Sequence, residues 1–458
     1  MIHPLSAVGE IAFYLNEARC DVAVTLDQFY GKFMEVEKVR HIDKLVITRV
    51  SDGLPCLKSI AYRLITERKY PGIRRGEGTV SWKEFLKVGK SITEGYLFDK
   101  DPNQEAVVLF SGGTTGTNKG IMLSDLNFNS LALQTATMSH EDIRHTQMLA
   151  AMPIFHGFGL GVCIHTMMYS GGTSILVPRF TASTYAKLIR KHRPNFIAGV
   201  PTLFEAITRT RDLDGVDLSC LKGVFSGGDS LTIELKKKFD EFLASHNASI
   251  RIREGYGTTE CVTACCLTPY NKEKEGSIGI PYPDTYFKIC TVGSTEEVPY
   301  GEEGEICITG PSVMLGYINH EEENRNTLRR HSDGKVWLHT GDLGIMDEEG
   351  FIYFRQRIKR MIVSSGYNVY PSQLENILEQ HEAVRRACVI GVPDPYKMQK
   401  VKAFVVLEDG FSQTPELMDS IMSHCRANIA RYALPYVIEV RESLPTTLVG
   451  KIAYTKLS

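Results

Sequence analysis

The sequence is short of net charge, of paired cysteine motifs and of long apolar runs, and each shortage closes off a class of function. Against 52 Lys and Arg stand 54 Asp and Glu, a formal net charge of −2. No basic field therefore marks the chain as a nucleic-acid binder. The 11 cysteines are scattered, with one adjacent pair at Cys265 and Cys266 and no CxxC spacing. They read as reduced thiols, not as a disulfide framework or a zinc site. The most apolar region, Met148 to Val177, is interrupted by Pro153, His156, His165 and several glycines. It falls short of the roughly 20 apolar residues that a spanning helix requires. Met1-Ile2-His3-Pro4 carries no basic-then-apolar leader. The expectation is a cytoplasmic protein without a transmembrane segment, with peripheral membrane contact and homodimer formation left open.

What is present is an ordinary globular composition, 43% hydrophobic and 23% charged, over 458 residues. That length is too great for one core and suggests two or three packed units. Between about Glu105 and Tyr256, buried-strand runs (Ala106–Phe110, Phe196–Val200, Gly223–Phe225) alternate with helical spacing (Thr184–His192, Leu231–Ser245). This alternation predicts a largely parallel sheet covered by helices on both faces. From Ser277 to Gly350, Gly- and Pro-rich turns separate short alternating strands such as Gly304–Ile308, the pattern of an antiparallel, barrel-like β subdomain. After the basic stretch 355–360, Ser372 to Glu375 reads as a capping box opening a helix. Strands at Ala387–Val392 and Val401–Leu407 and a helix near Pro415–Ile429 follow. The fold class is thus a large α/β domain, 1–358, followed by a small α+β domain, 359–458.

The segment Phe110-Ser111-Gly112-Gly113-Thr114-Thr115-Gly116-Thr117-Asn118-Lys119-Gly120 is rich in groups that suit phosphate. Its glycines let the backbone approach a ligand, its hydroxyls and Lys119 donate, and exposed N–H groups cradle anionic oxygens. It is not a Walker A loop, because Asn118 precedes Lys119 and Gly120 follows it. It resembles the phosphate-binding signature of the adenylate-forming superfamily, which includes acyl-CoA synthetases, peptide-synthetase adenylation domains and beetle luciferases.

Further segments resemble that family's motifs in the family's order. Arg253-Glu254-Gly255-Tyr256-Gly257-Thr258-Thr259-Glu260 implies Tyr256 against adenine, Thr259 on phosphate and Glu260, with Thr115, on Mg²⁺. Ser226-Gly227-Gly228-Asp229-Ser230 resembles the loop beside the adenine and the acyl carbonyl. Trp337–Asp342 resembles the ribose motif, with Asp342 accepting from the vicinal diol, for which a carboxylate is a natural partner. Arg357-Ile358-Lys359 resembles the domain boundary, with Arg357 on ribose or phosphate and Lys359 the hinge; Arg355 and Arg360 read as solvated. Gln356 stands where the family most often has glycine, and Arg360 where it has an acidic or small polar residue. Ser364–Pro371 resembles the segment used in the second half-reaction, with Gly366 leaving room for the pantetheine arm. Leu444–Lys451 resembles the loop of the adenylation lysine, Lys451.

The resemblance covers nearly the whole chain. It implies ATP, Mg²⁺ and coenzyme A as cofactors and a carboxylic acid as substrate. The acid attacks the α-phosphorus of ATP, and the acyl-adenylate then passes its acyl group to coenzyme A. Pro153–Gly159 and Gly199–Phe204 resemble walls of the acyl pocket. His156 stands near the pocket's mouth, as a catalytic residue or as a satisfied core histidine. No carboxylate is assignable to an amino-acid ammonium group, which favours a fatty or aryl acid. Two alternatives stay open: an adenylation enzyme loading a carrier protein, and a non-catalytic binder of the same fold. The residues near Pro4 and Ile11–Ala18 resemble a point well inside the family's large domain, so the N-terminal part is expected to be shortened.

Overall fold

The computed structural model describes residues 1–457 apart from 4, 71, 74–77, 94, 96–98, 112–117, 179, 365, 448 and 449. It divides into two compact units, 1–122 with 317–321, and 123–316 with 322–458.

The first unit contains a parallel three-stranded sheet, Val22–Leu26, Lys44–Thr48 and Thr79–Ser81. The helices Val8–Glu17 and Tyr30–Glu37 supply its core: Ile11, Leu15, Phe33 and Val36 pack with Leu45 and Ile47. The strand Glu105–Ser111 also lies here. It was expected to belong with the parallel strands that follow it in sequence, and it does not join their sheet.

The second unit is built on a seven-stranded sheet. Five of its strands run parallel, in the order Ile252–Tyr256, Gly223–Ser226, Phe196–Gly199, Gln147–Ala150, Thr173–Leu176. Cys266–Leu267 and Ile280–Pro281 extend it antiparallel. The buried Phe196–Gly199 and Gly223–Ser226 lack in/out alternation, as strands covered on both faces must. Their carboxyl ends lead into Val200–Pro201 and Gly227–Gly228, and such strand ends are where open α/β sheets bind ligands. The antiparallel expectation for 277–350 holds: Tyr286–Cys290, Gly304–Thr309, Val336–Met346, Leu328–Arg330 and Ile352–Arg357 pair antiparallel.

The C-terminal residues form a further five-stranded sheet around Val384–Asp394 and Met398–Leu407, with the helices Pro371–Glu379 and Pro415–Asn428 packed on it. The expected capping box at Ser372 and Glu375 is not formed. The helix starts at Pro371, whose fixed φ suits a first helical position, and Tyr370 is its N-cap without a side-chain cap bond. Glu375 instead accepts from Val389 N at 2.7 Å and pairs with Arg360. Arg360 is correspondingly not a solvated cation. Its guanidinium also lies 5.0 Å from the ring centroid of Tyr454.

Among the described residues, no helix is long and apolar enough to cross a membrane.

Candidate active site

The carboxyl ends of the parallel strands open on a small pocket in the second unit, with a cavity volume of about 30 Å³. Its apolar wall is made by Phe158, Val162, Phe225 and Leu267, and its backbone rim by Ser226, Gly227, Gly228, Tyr256 and Gly257. The glycines are required by packing. A Cβ on Gly257 would lie 1.9 Å from Thr263 O, and Gly228 has φ +84°. Next to the rim, Thr259–Cys261 forms a short 3₁₀ turn followed by Val262 at φ +62°. A β-branched residue there is a real backbone outlier, of the kind that concentrates at functional sites. No feature of the sequence signals it.

Tyr256 donates its hydroxyl to Asp342 Oδ2 at 2.7 Å, and Arg357 Nε lies 3.3 Å from Asp342 Oδ1. Burial pushes the Asp342 carboxyl up, against the pull of Arg357 and Tyr256. The Arg357 guanidinium is raised by Asp342. Among the described residues, Ser226 Oγ and Thr258 Oγ1 are buried without a hydrogen-bond partner, and Asp342 Oδ1 has only the Arg357 ion pair. Buried polar atoms are normally satisfied, so this set suits a polar ligand.

Lys451 enters the same cluster from the far end of the chain. Thr202 Oγ1 donates to Gly450 O at 3.0 Å, and Ile452 N donates to Asp229 Oδ2 at 3.2 Å. These two bonds clasp the Lys451 loop on both sides. A Cβ at Gly228 would stand 3.4 Å from Lys451 Cε and 3.9 Å from Nζ. Burial lowers the pKa of the Lys451 ammonium, with Arg357 adding to the effect; Asp229, Asp342 and Glu260 oppose it. His156 is also held low, at about 4, by burial and by Lys451. It is therefore neutral near pH 7, and its Nδ1 accepts from Phe158 N at 3.2 Å. The bond holds the ring beside Phe158 at the start of the pocket wall.

The structure thus gathers Gly227, Gly228, Tyr256, Gly257, Thr258, Thr259, Glu260, Asp342, Arg357, His156 and Lys451 into one region. Gly366 is not among them. It lies exposed, at φ +82°, in the turn between Ile362–Ser364 and Tyr367–Val369. Gly112, Gly113, Thr114, Thr115, Gly116 and Thr117 lie outside the described residues. Ser111 ends the strand Glu105–Ser111, and Lys119, 5.0 Å from the Tyr317 ring centroid, opens the strand Lys119–Ser124; both belong to the first unit. Asp229 and Thr202 stand in segments that had been singled out, but neither had been given a role.

The family model described as "AMP-binding enzyme" matches residues 1–318, and "AMP-binding enzyme C-terminal domain" matches 373–451. The chain belongs to the AMP-binding enzyme family. The long-chain-fatty-acid–CoA ligase of Bacillus subtilis is 36% identical to it, over 99% of this chain and 80% of that protein. The ligase of the same description from Escherichia coli O6:H1 is 30% identical, over 100% of this chain and 80% of its own length. Two solved structures share the fold. ATP-bound MatB from Rhodopseudomonas palustris has a TM-score of 0.80 at 23% identity, covering 100% of this chain and 82% of that one. The anthranilate CoA ligase AuaEII with anthranoyl-AMP has a TM-score of 0.80 at 24% identity, covering 100% and 81%. The resemblance read from the motifs is borne out at the level of the adenylate-forming superfamily.

Proposed function

We propose that the chain is an AMP-forming acid–CoA ligase acting on a fatty acid. The observation that carries this is the clasped Lys451 loop, which sets an ammonium group beside Gly228 at the rim of an apolar pocket. A fatty substrate is supported by the wall of Phe158, Val162, Phe225 and Leu267, and among the described residues no carboxylate lines the pocket to pair with an amino acid's ammonium. The relatives' descriptions as long-chain-fatty-acid–CoA ligases agree with it.

In the first step the acid's carboxylate oxygen bonds to the α-phosphorus of ATP, and the bond to pyrophosphate breaks. The nucleophile is the substrate, so the residues act by positioning and by charge. Asp342, held by Tyr256 and Arg357, supplies acceptor oxygens for the ribose hydroxyls. Lys451 balances the charge on the carboxylate and α-phosphate. Glu260, a hard oxygen donor beside Asp342, Arg357 and Lys451, fits Mg²⁺, which it would hold with Thr115. Bound Mg²⁺ supplies charge neutralisation on the phosphates. In the second step a thiolate attacks the acyl carbonyl, a thioester forms and AMP leaves. For that step we assign Gly366 to the passage of coenzyme A, with 359–458 moving as a unit on 1–358.

The test is pyrophosphate and AMP release from ATP and Mg²⁺ with C2 to C18 fatty acids, aryl acids and amino acids, each with and without coenzyme A. Turnover confined to fatty acids and dependent on coenzyme A is expected. Turnover with amino acids, or only with a carrier protein as acceptor, would overturn the proposal.

A further inference from the structure

A second cluster of reactive side chains lies on one face of the antiparallel sheet, away from the nucleotide-facing groups. Across the strands, Cys290 opposes Glu305 and Lys288 opposes Cys307. Directly opposed residues share a face, so all four side chains point the same way. On the next strand the register shifts between Glu305 and Cys307, and this irregularity sets His339 opposite Cys307. His331 follows the edge strand Leu328–Arg330 and meets the same face.

The sulfur of Cys307 and one nitrogen each of His331 and His339 lie within 4.8 Å of one another. All three residues are at most 5% exposed. His339 Nδ1 is 2.8 Å from Glu305 Oε2 and 3.5 Å from Cys307 Sγ, and its Nε2 is 2.9 Å from His331 Nε2. A ring nitrogen fixed by a carboxylate leaves the other as a lone pair, the arrangement common behind metal-bound histidines. Among the described residues, the His331 Nδ1 is buried without a partner. The thiol of Cys290 is within hydrogen-bonding reach of Cys307.

We propose that Cys307, His331 and His339 form a buried Zn²⁺ site, with Cys290 as the fourth donor and Glu305 orienting His339. Mixed thiolate and imidazole donors suit Zn²⁺ better than a hard cation. Zn–N bonds of about 2.0–2.1 Å in a tetrahedron place two nitrogens roughly 3.3 Å apart. The facing imidazoles, at 2.9 Å, would need to part by about 0.4 Å, and the Cys307 sulfur, 3.5 Å from His339 Nδ1, would need to swing toward Nε2. The Cys307 thiolate and the Glu305 carboxylate offset the ion's charge. Lys288 has its Nζ over the Trp337 ring at 4.1 Å and 3.6 Å from Asp333.

The site is closed, so its role is structural. Glu305 Oε1 also accepts from Gly341 N at 2.9 Å, and the metal would thereby brace the turn that presents Asp342. The spacing of the ligands in sequence (307, 331, 339) matches no zinc motif, which is why the cysteines alone gave no sign of it. The competing reading is a metal-free hydrogen-bonded relay of Glu305, His339 and His331.

The test is metal content of the full chain after incubation with Zn²⁺ and desalting, with Co²⁺ loading in parallel. About one Zn²⁺ per chain is expected, together with a Tm that falls on chelation and recovers on Zn²⁺ return. The Co²⁺ form should show a thiolate-to-metal absorption band, which reads Cys ligation in the unmutated protein. His331→Gln should lose the metal while its circular dichroism stays folded. Folded protein that retains no Zn²⁺ would establish the relay instead. Zn²⁺ retained undiminished by folded His331→Gln and His339→Gln would place the metal elsewhere and equally overturn the proposal.

Discussion

Asp229 is where the closure of the Lys451 loop can be tested most directly. Its Oδ2 accepts from Ile452 N at 3.2 Å, and its charge favours the Lys451 ammonium. Asp229→Ala removes both. A hydrogen bond to a charged group contributes about 1.5–3 kcal/mol, so the docked-to-undocked ratio should fall roughly 10- to 100-fold. Only the first half-reaction uses docked Lys451. Pyrophosphate–ATP exchange should therefore fall by up to that factor, while thioester formation from supplied acyl-adenylate stays within about two-fold. Asp229→Asn keeps an acceptor for Ile452 N but loses the charge. The Lys451 pKa, already lowered by burial, should then drop further, and the alkaline limb of the exchange profile should move to lower pH. Equal loss of both half-reactions, or an unmoved alkaline limb in Asp229→Asn, would refute the assignment.

Tyr256→Phe deletes the 2.7 Å bond to the buried Asp342; denaturant unfolding should show a loss of about 1.5–3 kcal/mol, and the KM for ATP should rise with it. For His156, the folded pKa of about 4 lies below the ordinary 6.5, so between these values the unfolded chain binds the extra proton. Stability should therefore fall as pH drops from about 6.5 to 4, by about 3 kcal/mol relative to His156→Gln in chemical denaturation at matched pH. An identical pH slope in wild type and variant would remove the claim. Gly228→Ala forces a side chain into φ +84° and sets its Cβ 3.4 Å from Lys451 Cε. A left-handed residue costs about 1–2 kcal/mol, and exchange should suffer more than thioester formation does; the reverse order would count against Lys451 lying there.

What was legible in the sequence was local. Tyr256, Glu260 and Asp342 stand in short strings whose chemistry is visible without the fold, and the alternation of strands and helices from 147 to 256 is a hydrophobic pattern. What was not legible depends on distance along the chain. The bonds that seat Lys451 join residues 248 and 223 positions apart, Thr202 with Gly450 and Asp229 with Ile452. Glu375 was misread because a capping box and a buried ion-pair partner present the same carboxylate near a helix start. The tertiary contact with Arg360 and Val389 won. Glu105–Ser111 was assigned to the wrong sheet because a buried strand's composition does not name its neighbours.

The same contacts explain why the boundary we propose, at Ile358/Lys359, can act as a hinge despite its departures from the family pattern. Arg357, on one side, pairs with Asp342 of the large domain. On the other side, Arg360 is held within the small domain by Glu375, by Val389 O at 3.4 Å and over Tyr454, with a longer-range attraction to Asp229 of the large domain. A rotation about Lys359 breaks neither anchor. What it must break are bonds such as those of Arg209 and Lys238 with Glu408, of Arg385 and Arg386 with Glu205, and of Tyr370 with Glu303. These are polar; the Arg209 and Lys238 pairs are part-exposed, where ion pairs contribute about 0–1 kcal/mol each, while Arg386 is buried against Glu205. On the boundary we propose, Arg360 would travel with the small domain, and these polar pairs would have to part as that domain leaves.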